Sequence, residues 1–243
     1  GGGPLSYFCD TLGYKMVVAI CAGVGVALAA LTYLIVPNMA PTPHRAVIAD
    51  IKEVLTNPKV IAICLSAGLL VGPLEGFADV WATEFLKEVY GFETSIASYL
   101  PSMIFVGMCF GAPVLSLIAE KTGSYLGSII GAGIVMAVIF MALILRSFTV
   151  DTMTISFLIV GVCCAYQIIA IYKASTYVPD HVSGLTTAVA NMIIMSFGYI
   201  FHTIIGLVVN AYGGADSATA FVYGISVIPI ALIIGVIGFT ALL

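Results

Sequence analysis

Apolar residues run along this chain in seven long blocks separated by short polar breaks. Six of the blocks, Met16–Val36, Thr94–Ala119, Thr122–Leu145, Thr152–Tyr172, Val182–Ala215 and Ser217–Leu243, hold no Asp, Glu, Lys or Arg. The seventh, Val60–Phe85, is interrupted by Glu75, Asp79 and Glu84. A bilayer's hydrocarbon core is about 30 Å thick and takes roughly 20 helical residues to cross. Every block is long enough, and a helix satisfies its backbone hydrogen bonds internally where no water can. The pattern predicts an all-α polytopic membrane protein.

The longest polar break, Asn38–Pro58, has a pattern of its own. Thr42 can cap a helix with Pro43 at its first position. Val47, Ile48, Ile51, Val54 and Leu55 then share one face, with Arg45, Asp50, Lys52 and Glu53 elsewhere. This is the signature of an amphipathic helix lying in a membrane interface, closed by Asn57–Pro58 where the next span starts. Residues 38–58 therefore read as a linker between 1–37, a remnant of one membrane domain, and 59–243, a membrane domain of six spans. If the linker is cytoplasmic, Arg45, Lys52, Lys59, Lys121 and Lys173 fall inside and Lys15, Lys87 and Arg146 outside, in the sense of the positive-inside rule. Gly1–Phe8 reads as the tail of a helix, so the chain is expected to be the C-terminal part of a longer protein whose missing N-terminal helices share any central site.

Composition narrows the classes. Hydrophobic residues make up 61% and charged residues 8%, against roughly 25% charged in soluble domains. A net charge of −4 with no basic stripe argues against nucleic acid. Five of the six cysteines (Cys21, Cys64, Cys109, Cys163 and Cys164) lie within apolar blocks and read as small hydrophobes, Cys9 being the sixth. No ligand spacing for a metal and no motif for a cofactor is present, and GxSxG, HExxH and phosphate-loop sequences are missing. The chain is expected to be neither an enzyme nor a metalloprotein.

Against that apolar background the few polar groups within spans carry the functional reading. A carboxylate near the bilayer centre costs a few kcal/mol on the lenient insertion scale, so it faces water or a partner. Cys64, Gly68, Gly72, Glu75 and Asp79 follow helical steps, making one face of their span small and acidic. By helical rise Glu75 lies roughly 6 Å, and Asp79 roughly 12 Å, outside the midplane. Glu75 is a candidate proton-coupling residue, or else a structural glutamate bonded to another helix; Asp79 is a candidate substrate contact. Gly72–Pro73 just before them interrupts the helix, as a broken transport helix or as a packing kink. Thr187, Asn191, Met195, Gly198 and His202 form a second stripe. His202, at a depth similar to Glu75, is a candidate proton relay or an interhelical hydrogen bond. Asn191 is a candidate donor to substrate or to another helix. Lys173 reads as a snorkelling anchor and Trp81 as an interfacial aromatic residue.

Ser116–Tyr125, SLIAEKTGSY, resembles the repeated loop signature G-x-L-A-D-R-x-G-R-R of the major facilitator superfamily of secondary transporters. Glu120 takes the acidic position, Lys121 the basic one and Gly123 the turn; Ser116, Ser124 and Tyr125 depart from the pattern. GGGPL at Gly1–Leu5, followed by Gly13–Tyr14–Lys15, is similar to the end of that family's fifth helix and its outer turn. The resemblance implies an incomplete major-facilitator-type bundle, from the end of helix five through helix twelve, with Glu120, Lys121 and Gly123 as a conformational loop motif. It also makes Gln167 and Tyr166, on what would be helix ten, candidate substrate contacts. GPLEGFADVWATEFL at Gly72–Leu86 and GAPVLSLIAEKTG at Gly111–Gly123 resemble the sugar-phosphate-permease-like branch, itself similar to phagosomal amino-acid transporters.

The expected function is secondary active transport of a small polar metabolite, amino-acid-like by preference, coupled to protons by alternating access in a bacterial inner membrane. An organic-anion or sugar-phosphate exchanger is the alternative, though no Arg or Lys lies deep in a span to meet such an anion. A non-transporting sensor of the same fold is the alternative class. The partners implied are the solute, protons and the lipid bilayer, and no cofactor is called for. The charge distribution makes a topological prediction: in intact cells a membrane-impermeant thiol reagent should label Glu88→Cys and leave Asp50→Cys unmodified. The reverse pattern would invert the orientation.

Overall fold

The computed structural model describes residues 8–36 and 47–243. Residues 1–7 of the helix tail expected over Gly1–Phe8, the Thr42–Pro43 cap and Arg45 lie outside them. The chain divides into two compact units, Gly1–Ala46 and Val47–Leu243. In the first, α1 (Tyr14–Ile35) is apolar on all sides, with only Val17 buried. A helix hydrophobic all round belongs in a membrane or a large core.

The second unit opens with α2 (Val47–Thr56), which packs on the helices that follow it through Val54. Ile51 is half-buried, and the rest of the expected apolar face, Val47, Ile48 and Leu55, is exposed. Asn57 then caps α3 (Pro58–Gly76), its Oδ1 accepting from the N–H of Lys59 at 3.1 Å and of Val60 at 3.3 Å, with Pro58 in the first helical position. A π-helical turn, Phe77–Trp81, joins α3 to α4 (Ala82–Tyr90), so one rod runs from Pro58 to Tyr90. The turn follows four residues after Pro73, which has no N–H to give to the helix. Phe77 at its start is the centre of an edge-to-face cluster with Phe85, Phe140 and Phe157 at 5.2–6.0 Å.

The remaining spans are α5 (Thr94–Thr122), α6 (Tyr125–Ile144), a broken rod of α7 (Val150–Cys164) and α8 (Tyr166–Ser175), α9 (Asp180–Ala211) and α10 (Ala218–Thr240). With α1 and the α3–α4 rod, seven helices among the described residues are long and apolar enough to cross a membrane. No strand is present among the described residues. Side chains punctuate the ends: Ser124 accepts from Gly127 N–H, Thr149 and Thr152 form a reciprocal capping box, and Ser217 accepts from Ala220 N–H. Gly123, at the turn of the loop motif, takes a left-handed φ of 66° that a side chain would strain. Glu120 and Lys121 beside it are exposed and make no ion pair among the described residues.

Two glycine crossings hold the bundle together. A Cβ on Gly161 would collide with the carbonyl of Ile104, and one on Gly107 with the carbonyl of Leu158, so α5 and α7 touch backbone to backbone. On α3, Gly68 and Gly72 lie under the Phe197 side chain of α9, and Gly76 faces the His202 backbone. Lipid tails are as apolar as leucine, so spans associate through close packing at small residues. Overpacking costs typically 1–3 kcal/mol. Gly161→Ala should accordingly lower the thermal unfolding midpoint of the detergent-solubilised protein. Gly131→Ala, where a Cβ would meet open space, should not lower it; equal losses would mean that the crossing is not tight.

Candidate functional site

Glu75 and Asp79 are one α-helical turn apart, and both reach the same cavity of about 370 Å³. Gly76, Val80, Met195, Gly198, Tyr199 and His202 complete its lining. Sequence spacing had put Glu75 with Asp79 and Met195 with Gly198 and His202, on two separate stripes. The fold lays these stripes against each other across the α3–α9 crossing. The crossing is close because of glycine: a Cβ on Gly198 would come 3.0 Å from Glu75 Oε2, and one on Gly76 would come 3.0 Å from His202 N. Glu75 is half-buried and Asp79 exposed. Neither makes an ion pair or hydrogen bond among the described residues, and no Lys or Arg lines the cavity.

The π turn brings Trp81 to the same place. Its Nε1–H donates to the His202 carbonyl at 3.2 Å, and its ring lies 5.7 Å from the imidazole. Gly206 leaves room for it, and Phe221 packs on its other side at 6.2 Å. Trp81 is thus packed against α9 and α10. A polar ring end buried between spans needs a backbone acceptor, and the carbonyl of His202 is the one in reach. His202 Nδ1 is buried without a hydrogen-bond partner among the described residues. Its imidazole is therefore positioned by packing against Trp81.

A second cavity of about 230 Å³ is lined by Gln167 and Asn191 with Met108, Cys164, Ala165, Ile168 and Ile171. Gln167 Nε2 donates to Asn191 Oδ1 at 3.3 Å, tying α8 to α9. Eleven residues separate Asn191 from His202, roughly 16 Å along one helix, so the single stripe read in the sequence serves two cavities. A cleft of about 10 Å³ lies between them in its lining: it shares Glu75 with the larger cavity and Met108 and Cys164 with the smaller. The α7–α8 break adjoins it. The N–H of Ala165 turns to the Val162 carbonyl at 3.3 Å, tightening the helix just before Tyr166.

Tyr166 stands apart from the other candidates. It is fully buried, and its hydroxyl donates to the Ala67 carbonyl at 2.6 Å. That bond joins α8 to α3 and turns the phenol away from both cavities. Thr187, on the same sequence stripe as Asn191, is exposed and donates to the Ser183 carbonyl in its own helix. Glu84, Glu88 and Glu93 are exposed, Glu84 pairing with Lys87 at 3.0 Å. Sequence reading missed Tyr199, although it lies four residues after Met195 and three before His202. It also missed that Asp50, Glu53 and His181 bring one ligand atom each within 4.8 Å of one another. Only folding of α2 against α9 makes that group, and no spacing signals it.

The fold and these cavities define a polytopic helical membrane protein whose polar groups gather where spans meet. Residues 2–203 match the family model of the Major Facilitator Superfamily, and the chain belongs to that superfamily. No curated protein sequence is significantly similar to this chain. Among solved structures it is similar to a bacterial homologue of the human lysosomal transporter Spinster, captured inward-facing and unoccupied, at 15% identity and a TM-score of 0.51. That likeness covers 94% of this chain and 57% of the other, so the chain spans little more than half the length of that transporter.

The arrangement predicts reactivity. With buried Cys64 and Cys163 first replaced, Glu75→Cys, Gln167→Cys, Asn191→Cys and His202→Cys should react with small hydrophilic thiol reagents. Ile139→Cys and Ile233→Cys, on apolar spans away from both cavities, should stay inert. Equal inertness at all six would mean that the polar groups only join helices.

Proposed function

We propose that the chain forms part of a proton-coupled secondary transporter for a small, amino-acid-like solute. The observation that carries this reading is the meeting of Glu75, Asp79 and His202 on one cavity between two largely apolar spans. Charged groups are expensive at that depth, and those retained in membrane proteins mark substrate and ion paths. Among the described residues Glu75 has no partner to neutralise it, and a proton or a cationic group can do so when the site is closed to water. His202 offers the unpartnered Nδ1 as a second proton-binding atom on the same wall. Asp79, exposed at the mouth, is suited to receive the ammonium group of a zwitterion, and Gln167 and Asn191 to hydrogen-bond its polar remainder.

Alternating access supplies the mechanism. In one state Glu75 takes up a proton from the water that fills the cavity. Neutralisation removes the penalty for enclosing it, so the spans can rock about the glycine crossings and expose the site to the other face. Loss of the proton there, with release of the solute, resets the charge. Glu120, Lys121 and Gly123 form the turn between two spans that must shift together. The missing partner surface belongs to the rest of the transporter, in the bacterial inner membrane. Among the described residues neither cavity is lined by Lys or Arg, which favours this reading over a sugar-phosphate or organic-anion exchanger.

The test is transport by the full-length protein in proteoliposomes, using a panel of radiolabelled amino acids under an imposed proton gradient. Wild type should accumulate a solute from the panel above equilibrium. Glu75→Gln should abolish accumulation while leaving solute exchange measurable, because it fixes the group in its neutral form. Unchanged gradient-driven uptake in Glu75→Gln would remove the coupling role. Absence of any flux with a bound solute would favour the sensor.

A further inference from the structure

Away from both cavities, two lysines from different helices close on one aromatic ring. Lys59 Nζ, at the start of α3, and Lys173 Nζ, near the end of α8, each lie 5.0 Å from the centroid of the Tyr177 ring. Their separation therefore cannot exceed twice that distance, close enough for two like charges to disfavour each other. Lys59 also sits in the first turn of a helix, where the macrodipole disfavours a cation.

The site is held in shape by the backbone. Asn57 donates from Nδ2 to the Tyr177 carbonyl at 2.9 Å, while its Oδ1 caps the first turn of α3. The ring is thereby fixed against the start of one span and the end of another. Neither lysine has a carboxylate within ion-pair distance among the described residues. The acids of α2 turn elsewhere: Glu53 Oε2 lies 3.8 Å from His181 Nε2, with Asp50 beside them. Asp180, exposed at the start of α9, pairs with neither lysine. The Tyr177 hydroxyl makes no hydrogen bond among the described residues.

We infer that Lys59, Lys173 and Tyr177 bind the phosphate of an anionic phospholipid headgroup. The chemistry suits a phosphate: two ammonium groups without a carboxylate partner lie over one ring, whose hydroxyl makes no hydrogen bond among the described residues. The location selects lipid as its source. Pro58 opens the Pro58–Tyr90 span and Ser175 closes the Val150–Ser175 span, so the cluster lies at the level where headgroups stand. Basic pockets between span ends are the recurrent form of headgroup recognition. A single snorkelling lysine would need only water. Two lysines drawn to one ring from separate helices define a position, and a headgroup there would brace α3, α8 and the connection to α9 together. This inference does not depend on which solute is carried.

The experiment is native mass spectrometry of the full-length protein released from nanodiscs containing phosphatidylglycerol and phosphatidylcholine. Wild type should retain phosphatidylglycerol in preference. Lys59→Gln combined with Lys173→Gln should lower that retention roughly tenfold or more, each lysine contributing to headgroup attraction. Lys59→Arg with Lys173→Arg should keep it, which separates lost charge from lost folding. Lys121→Gln, an exposed lysine outside the cluster, should keep it too. Retention by the glutamine pair, equal loss in Lys121→Gln, or displacement of the lipid by soluble glycerol phosphate would each overturn the assignment.

Discussion

In a hydrocarbon environment, apolar side chains gain nothing by leaving lipid for one another. Helices there must be held by how closely their surfaces can approach, and this bundle depends on that constraint. The α5–α7 crossing is a mutual contact of Gly107 and Gly161 in which each backbone touches the other. The α3–α9 crossing lays Gly68, Gly72 and Gly76 against Phe197 and the His202 backbone. A side chain at any of these positions would push spans apart, and the cavities lie along the same seams. Packing and site are therefore one structure: the glycine row that lets α9 approach α3 also sets Glu75 across from Gly198 and His202.

That closeness explains why a few polar groups can be borne in so apolar a bundle. Tyr166 and Trp81 each give their hydrogen to a carbonyl on another helix, Ala67 and His202 respectively. Gln167 and Asn191 satisfy part of each other's demand. Among the described residues, Glu75, Asp79 and the Nδ1 of His202 make no such bond. They converge on one cavity rather than scattering.

The spans were legible because their signal is long and strong. Each predicted block became a helix within a few residues, and Asn57–Pro58 started α3 as its capping chemistry dictates. The helical stripes were legible too, since Glu75 with Asp79 and Met195 with His202 follow from periodicity alone. Their meeting was not, because periodicity fixes faces and says nothing of which faces pack. The bond from Tyr166 to Ala67 was hidden for the same reason: a phenol on a cavity-lining helix and one bonded behind it have the same spacing. Trp81 required the π turn, which no local residue pattern announces beyond the nearby Gly72–Pro73. The Lys59–Tyr177–Lys173 cluster joins positions more than a hundred residues apart, beyond the reach of any local rule.

The π turn at Phe77–Trp81 has a mechanical meaning. Such a turn holds about one residue more than an α turn of the same rise, so it works as an offset in the helical register. Ahead of it, α3 aims glycines at α9; beyond it, Ala82, Phe85, Leu86 and Val89 aim at the core. Were those residues to take α geometry with none removed, one half of the rod would rotate against the other by roughly 100°. Trp81 would swing off His202, or the glycine row off Phe197. The length of this span, counted to the single residue, is thus as much a part of its architecture as the identity of any side chain along it.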